Sequence, residues 1–175
     1  MDCLNSAVNL ADALCPTDPI QHYFTEIILC EDLTVPTPKP DMELITKVTH
    51  NFVVSDVEQL QVNLGDRDLS NPINFLRKKI AITGTVKLGI EYSADVPEQE
   101  VHFMHFDIPF QGIIGYRPCV TGTLLGNFNR GLIDESLFDI ENYNVHVCLE
   151  HEQYHQLSPR VVKAVLVMLI WLKLK

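Results

Sequence analysis

The sequence predicts an all-β protein: an antiparallel β-sandwich, jelly-roll-like, with an extended N-terminal arm. Three observations carry that expectation. Apolar and polar residues alternate over long stretches, the breaks between them fall at Pro-, Gly- and Asp-rich turns, and helical periodicity is almost absent. The chain has 175 residues, enough for one domain with a sizeable core. Its composition, 46% hydrophobic and 21% charged, is that of an ordinary globular protein.

Residues 1–20 read as the arm, and residues 21–175 as the sandwich. The arm is small and polar and ends in "CPTDPI", whose two prolines disfavour continued regular structure. Leu4, Val8, Ala11 and Leu14 mark a short helical stripe with too few turns to stand alone. "HYFTEIILCEDLTV" follows as a strand candidate, then "PTPKP" as a stiff connector. The clearest strand is "IAITGTVKLGIEY": Ile80, Ile82, Val86, Leu88, Ile90 and Tyr92 share one parity, and Thr83, Thr85, Lys87 and Glu91 the other. "SADVPEQE" is a turn-rich loop leading to "VHFMHFDIPF", so the pair makes a hairpin. "NYNVHVCLEHEQYHQL" alternates again, "SPR" interrupts it, and a last strand runs to the C-terminus.

Charge and hydropathy narrow the function classes. The formal net charge is -10, dispersed along the chain, and no basic stripe exists to displace counterions from phosphates. Nucleic acid is therefore not an expected partner. The most apolar segment, Ala164 to Leu172, is far shorter than the roughly 20 residues a membrane helix needs, so no membrane span is expected. "MDCLNSAVNL" lacks the basic start and apolar stretch of a secretory signal, which implies synthesis in the cytoplasm.

The string HEQYH poses the sharpest chemical question. His151, Glu152 and His155 fit H-E-x-x-H, in which two histidines hold zinc and the glutamate is a general base. That chemistry depends on a helix, where i and i+4 side chains stack about 6 Å apart. On a strand the same four residues span about 13 Å, too far for two bonds of about 2.1 Å to one ion. The flanking Val145, Val147 and Tyr154 favour strand, and Ser158-Pro159 blocks a helical extension. A metal-dependent hydrolase is thus only a minor alternative; no catalytic residue, metal ligand or cofactor is expected. His102 and His105 in "VHFMHF" fall on opposite faces of their strand. Asp66, Asp68 and Asn71 resemble part of a calcium loop but lack its Gly and terminal Glu.

Several stretches resemble one family. They are "KPDMELITKVTHNFVV", "KIAITGTVKLGIEYSADVPEQEVHFMHFDIPFQGII" and "YHQLSPRVVKAVLVML". The motif residues are Gly84, Val86, Ile90, Glu91 and Tyr92 on one strand, and Ala94, Asp95, Pro97, Glu98 and Gln99 in the loop. Val101, His102, His105, Phe106, Ile108, Pro109 and Phe110 follow on the next strand, while Lys39, Pro40, Asp41 and Glu43 form a K-P-D-x-E motif. These residues resemble the SPOCS domain, a sporulation-associated domain of spore-forming bacteria, over roughly residues 21–175. The resemblance implies a non-catalytic part in spore-envelope assembly. Some members carry peptidoglycan-binding modules; none is visible here, so a stand-alone subunit is expected.

The expected function is a structural subunit of a spore surface layer or appendage, forming a homo-oligomer or polymer through arm-to-sandwich contacts, with other spore-envelope proteins as further candidate partners. A monomeric module that docks another coat protein or a glycan is the alternative. Five cysteines are too scattered for a zinc cluster. Cys3 and Cys15 on the arm, with Cys119 in a probable loop as acceptor, are candidates for inter-subunit disulfides once mother-cell lysis exposes the protein to air.

Overall fold

The computed structural model describes residues 15–16, 23–63, 76–115 and 139–175. Six strands dominate these residues: β1 (Phe24–Thr34), β2 (Met42–Asn63), β3 (Leu76–Ala94), β4 (Val101–Gly115), β5 (Tyr143–Ser158) and β6 (Val161–Leu174). They form two antiparallel sheets packed face to face, one in the order β1-β6-β5 and the other β2-β3-β4. The expected all-β sandwich is therefore what the chain builds. Its described connectivity is simpler than two Greek keys: β2-β3-β4 is a plain meander, and β1 returns beside the C-terminal strand. A single 3-10 turn, Ile140–Asn142, leads into β5 and is capped by Asp139, which accepts from the Glu141 amide at 3.0 Å.

Alternation produces the core directly. Ile80, Ile82, Val86, Leu88, Ile90 and Tyr92 of β3 are all at most 2% exposed. They face Val145, Val147, Val162, Ala164, Leu166, Met168 and Ile170 of the other sheet, in one continuous apolar cluster.

β2 shows why its length was hidden in the sequence. Its inward residues are Ile45, Val48, Phe52, Val54 and Val57, paired with Tyr92, Ile90, Val86, Gly84 and Ile82. The spacing of three at Ile45/Val48 and at Val54/Val57 breaks period two. Each break coincides with a register shift, and in each case an extra residue lets the strand keep the same face inward. The extra residues are polar and exposed: Thr46 donates to Glu91 at 2.9 Å, and Ser55 donates to the Thr83 carbonyl at 3.2 Å.

A similar shift between Leu149 and His151 reverses parity midway along β5. Val145, Val147 and Leu149 point inward before it, and Glu152 and Tyr154 do so after it. The C-terminal strand departs from simple alternation as well. Leu169, Ile170, Trp171 and Leu172 are buried in succession, because the outer face is covered at that end.

Candidate functional site

Part of the motif, Lys39, Pro40, Asp41, Glu43, Tyr92 and Gln99, comes together at one end of the sandwich, where the β1–β2 connector crosses from one sheet to the other. Arg160, in the β5–β6 turn, is the hub. Its guanidinium donates to the Val35 carbonyl at 3.0 Å, to the Lys39 carbonyl at 3.1 Å and to the Asp41 carboxylate at 2.7 Å. Its own carbonyl accepts from the Val35 amide at 2.8 Å, and the Pro159 carbonyl accepts from the Met42 amide at 2.7 Å. Tyr92, fully buried at the end of β3, donates its hydroxyl to the Pro40 carbonyl at 3.1 Å. Burial, offset in part by the positive charge of Arg160, raises the phenol pKa, so it stays a donor.

The β3–β4 turn closes on the same connector. Asp95 donates its amide to the Asp41 carbonyl at 2.9 Å. Gln99 adopts a left-handed φ of 46°, uncommon for a residue with a side chain, and its amide donates to Glu43 at 2.8 Å. Lys39, Pro40, Asp41, Glu43, Tyr92, Gln99 and Arg160 thus form one hydrogen-bonded clamp joining both sheets. Pairs such as Asp41 and Arg160 are 119 residues apart in sequence, and that separation hid their partnership.

The other motif residues are also placed by packing. Gly84 and Phe110 pair across β3 and β4, and the Phe110 ring occupies the space a side chain at 84 would need. Val86, Ile90 and Phe110 are buried in the core, and Phe106 is packed against it. Pro109 sits exposed on β4, an edge strand where a missing N–H is tolerated. Pro97 lies in the exposed turn. His102 and His105 lie on opposite faces, as expected. His102 sits beside Tyr92, ring centroids 5.7 Å apart, with Glu100 at 3.8 Å, while His105 points outward.

His105 borders a notch of about 380 Å³ on the outer face of the β2-β3-β4 sheet. Thr49, Gly89 and His105 form one row across the three strands, and Asn51, Lys87 and Asp107 the next. The buried Gly89 makes the floor, since a side chain there would meet the Thr49 hydroxyl and the His105 ring.

HEQYH is strand throughout. His151, Gln153 and His155 line up on the outer face, with Gln153 between the two rings at 2.9 and 3.3 Å. Glu152 lies on the opposite face, where it accepts from Tyr154 at 2.8 Å and stands 3.8 Å from His50. Burial and the Glu152 contact push the Tyr154 phenol well above its ordinary pKa. Two histidines separated by an intervening side chain, with the carboxylate turned away, do not reproduce the helical H-E-x-x-H arrangement. Among the described residues, no group of three or more His, Cys, Asp or Glu is placed to hold a metal ion.

The cysteines require a correction. Cys15, expected as an inter-subunit candidate, is disulfide-bonded to Cys148 of the same chain, with Cα atoms 5.3 Å apart. The reason lies in β5. Cys148 projects outward, opposite Leu169, and the arm passes close enough to meet it; Cys148, Leu169 and Trp171 form a small second cluster against which Cys15 packs. Cys30 is free and exposed. Cys3 and Cys119, and the Asp66, Asp68 and Asn71 loop, lie outside the described residues.

With this geometry in hand, comparison with known proteins gives one match. Residues 56–119 match the family model described as SipL, SPOCS domain, a span that takes in the end of β2 and all of β3 and β4. The finding supports assigning this region to the SPOCS domain family. The K-P-D-x-E motif and the C-terminal stretch lie outside the matched span, and the clamp ties them to it. No curated protein and no solved structure matches the chain. Among the described residues, no helix is long and apolar enough to cross a membrane.

Proposed function

We propose that this protein is a non-catalytic structural subunit of a bacterial spore surface layer or appendage, self-associating when the arm of one copy engages the sandwich of the next. The observation that carries the reading is the arm contact itself. Cys15 packs on Cys148, Leu169 and Trp171, so the outer face of the β1-β6-β5 sheet has a formed receptor for arm residues. A contact made between an arm and a distant surface of the same fold can be exchanged between copies, and a head-to-tail exchange that does not close on itself yields fibres or sheets. The family match supplies the sporulation setting. The side chains of the clamp, Asp41, Tyr92 and Arg160, support the non-catalytic part of the reading, because their polar groups are engaged in hydrogen bonds that hold the connector and turns together.

One observation favours a second reading, a monomeric binding module. The Gly89 notch, flanked by His105, Lys87 and Asp107, is a preformed recess that a protruding side chain or a sugar could enter. Negative-stain microscopy and size exclusion of the full chain after oxidation separate the two. Ordered polymers that disappear on deleting residues 2–14 support the structural reading. A monodisperse monomer at every concentration overturns it and favours the module.

A further inference from the structure

Of the four strands at the sheet edges, three carry a feature that discourages a further strand from pairing. β2 and β5 have register shifts that bend their ladders, and β4 has Asp107 and Pro109 near its middle. β1 has neither. It pairs with β6 over eleven consecutive residues without a shift, and among the described residues nothing pairs with its other side. Over Phe24–Cys30 it reads FTEIILC, free of Pro and Gly, with Glu26 as the sole charge. On the outer face Ile28 is 70% exposed and Phe24 44%. On the inner face Ile27 and Leu29 pack against the core yet stay half-buried, because β1 ends its sheet. A regular, apolar edge whose inward side chains are half-open is suited to receive one more strand.

We infer that this strand is the β1 of a second copy, paired antiparallel about a two-fold axis at Ile28. For the outer face of one copy to continue into that of the other, facing residues must be both outward or both inward, so the axis passes through a residue. Charge and overlap then select the register. An axis at Glu26, Glu31 or Asp32 sets that carboxylate against its own copy, and an axis at Leu29 sets Glu26 against Asp32. With the axis at Cys30, Leu29 faces Glu31 and Phe24 is left unpaired; at Ile27, only Phe24–Cys30 overlaps. The axis at Ile28 engages Phe24–Asp32 without these conflicts. Ile28 faces itself, Ile27 faces Leu29, Glu26 faces Cys30 and Thr25 faces Glu31, while Phe24 meets Asp32 at the fringe, where Lys163 stands 3.2 Å from the carboxylate. The half-buried Ile27 and Leu29 thereby cover each other. This contact does not rest on the arm: a two-fold contact closes on itself and gives a dimer, whether or not arms link dimers further.

Two measurements test it. In the first, Glu26→Cys is added to a Cys3→Ser, Cys119→Ser protein, setting a new thiol opposite Cys30 of the second copy. Within one chain the two positions stand about 13 Å apart along the strand, beyond the reach of a disulfide, so a link between them joins two copies. Diamide oxidises the thiols, taking up the two electrons and two protons released as each pair of sulfurs joins. Peptide mapping should show position 26 joined to Cys30, formed about tenfold faster than links between two Cys30 residues, since pairing raises the local concentration of the facing thiols. Equal rates, or no linked dimer, overturn the inference. The second measurement is sedimentation equilibrium of the full chain across a concentration series. Ile28→Lys, at a well-exposed site, sets two positive charges against each other and should weaken the dimer about tenfold or more. An unchanged or tightened dimer overturns the inference; tightening is what an axis at Cys30 would give, with the new charge facing Asp32. Deleting residues 2–14 should leave the dimer intact. A dimer lost on that deletion but kept in Ile28→Lys overturns edge pairing and leaves association through the arm standing. A dimer weakened by Ile28→Lys, in a protein that never polymerises, supports edge pairing and removes association through the arm.

Discussion

Gly84 and Phe110 show how a residue type is dictated by its opposite number. Phe110 lies across β3 over the position where residue 84 would carry a Cβ, with the Val53 carbonyl on the other side. Neither a ring in a packed core nor a backbone carbonyl in a ladder can withdraw cheaply, so Gly84→Val should destabilise the fold by about 1–3 kcal/mol. The check is the denaturant midpoint; an unchanged midpoint would show that Phe110 has room to move. His146 acts through charge instead. Its ring stacks on Trp171 at 5.2 Å, and burial, with a smaller contribution from the positive Lys173, lowers its pKa below the ordinary 6.5. Lowering the folded-state pKa means that the unfolded chain binds the proton more readily. The stabilising effect is therefore complete above pH about 6.5 and is lost as pH falls through the folded-state value. His146→Phe should flatten the loss of thermal stability between neutral and mildly acidic pH, and a profile parallel to wild type would remove His146 as its source. At this scale the sequence displayed which residues were unusual but not what they touch. Gly84, Tyr92 and Gln99 could be singled out as motif members, whereas the Tyr92 hydroxyl bond to Pro40 and the Arg160 bond to Asp41 join segments distant along the chain.

At the scale of elements, legibility followed regularity. β3 keeps strict alternation, so its buried face could be read directly. β2 and β5 contain register shifts that move the apolar residues from one parity to the other, and a period-two reading loses its phase at each one. The same shift in β5 sends Glu152 to the face opposite His151 and His155, although strand geometry alone had already separated the string from zinc chemistry. The two strands therefore respond differently to mutation. Leu88, 1% exposed at the middle of the central strand, should cost about 2–5 kcal/mol when changed to alanine. His151→Ala and Glu152→Ala, on an exposed stretch of an edge strand, should change stability by less than about 0.5 kcal/mol and leave metal content as it is in the wild type. Stoichiometric zinc in the native protein, lost in His151→Ala, would reverse the assignment of HEQYH to an ordinary strand.

In the whole molecule one link joins the two sheets and another ties the arm to a single sheet. The Arg160 clamp is the first, made of hydrogen bonds between the β1–β2 connector, the β5–β6 turn and β3. The second, Cys15–Cys148, fixes the arm to the outer face across a sequence separation of 133 residues. Spacing could not reveal that pairing, since five cysteines leave many combinations open and only the fold brings two of them together. The consequence is a division of labour among the thiols. A cross-link over so long a loop restricts the unfolded chain and stabilises the folded one by about 2–4 kcal/mol. It also removes Cys15 from the set available to neighbouring copies; among the described cysteines Cys30 is free and exposed, while the candidates Cys3 and Cys119 lie outside the described residues. On a denaturing gel the unreduced monomer, held in a closed loop, should therefore migrate faster than the reduced one, and Cys15→Ser should abolish that difference. Any covalent ladder formed by assembled, oxidised protein should survive Cys15→Ser and collapse when Cys3→Ser and Cys119→Ser are combined. Loss of the ladder with Cys15→Ser alone would mean that Cys15 bonds between chains in the assembly, so that the contact with Cys148 is exchanged rather than kept.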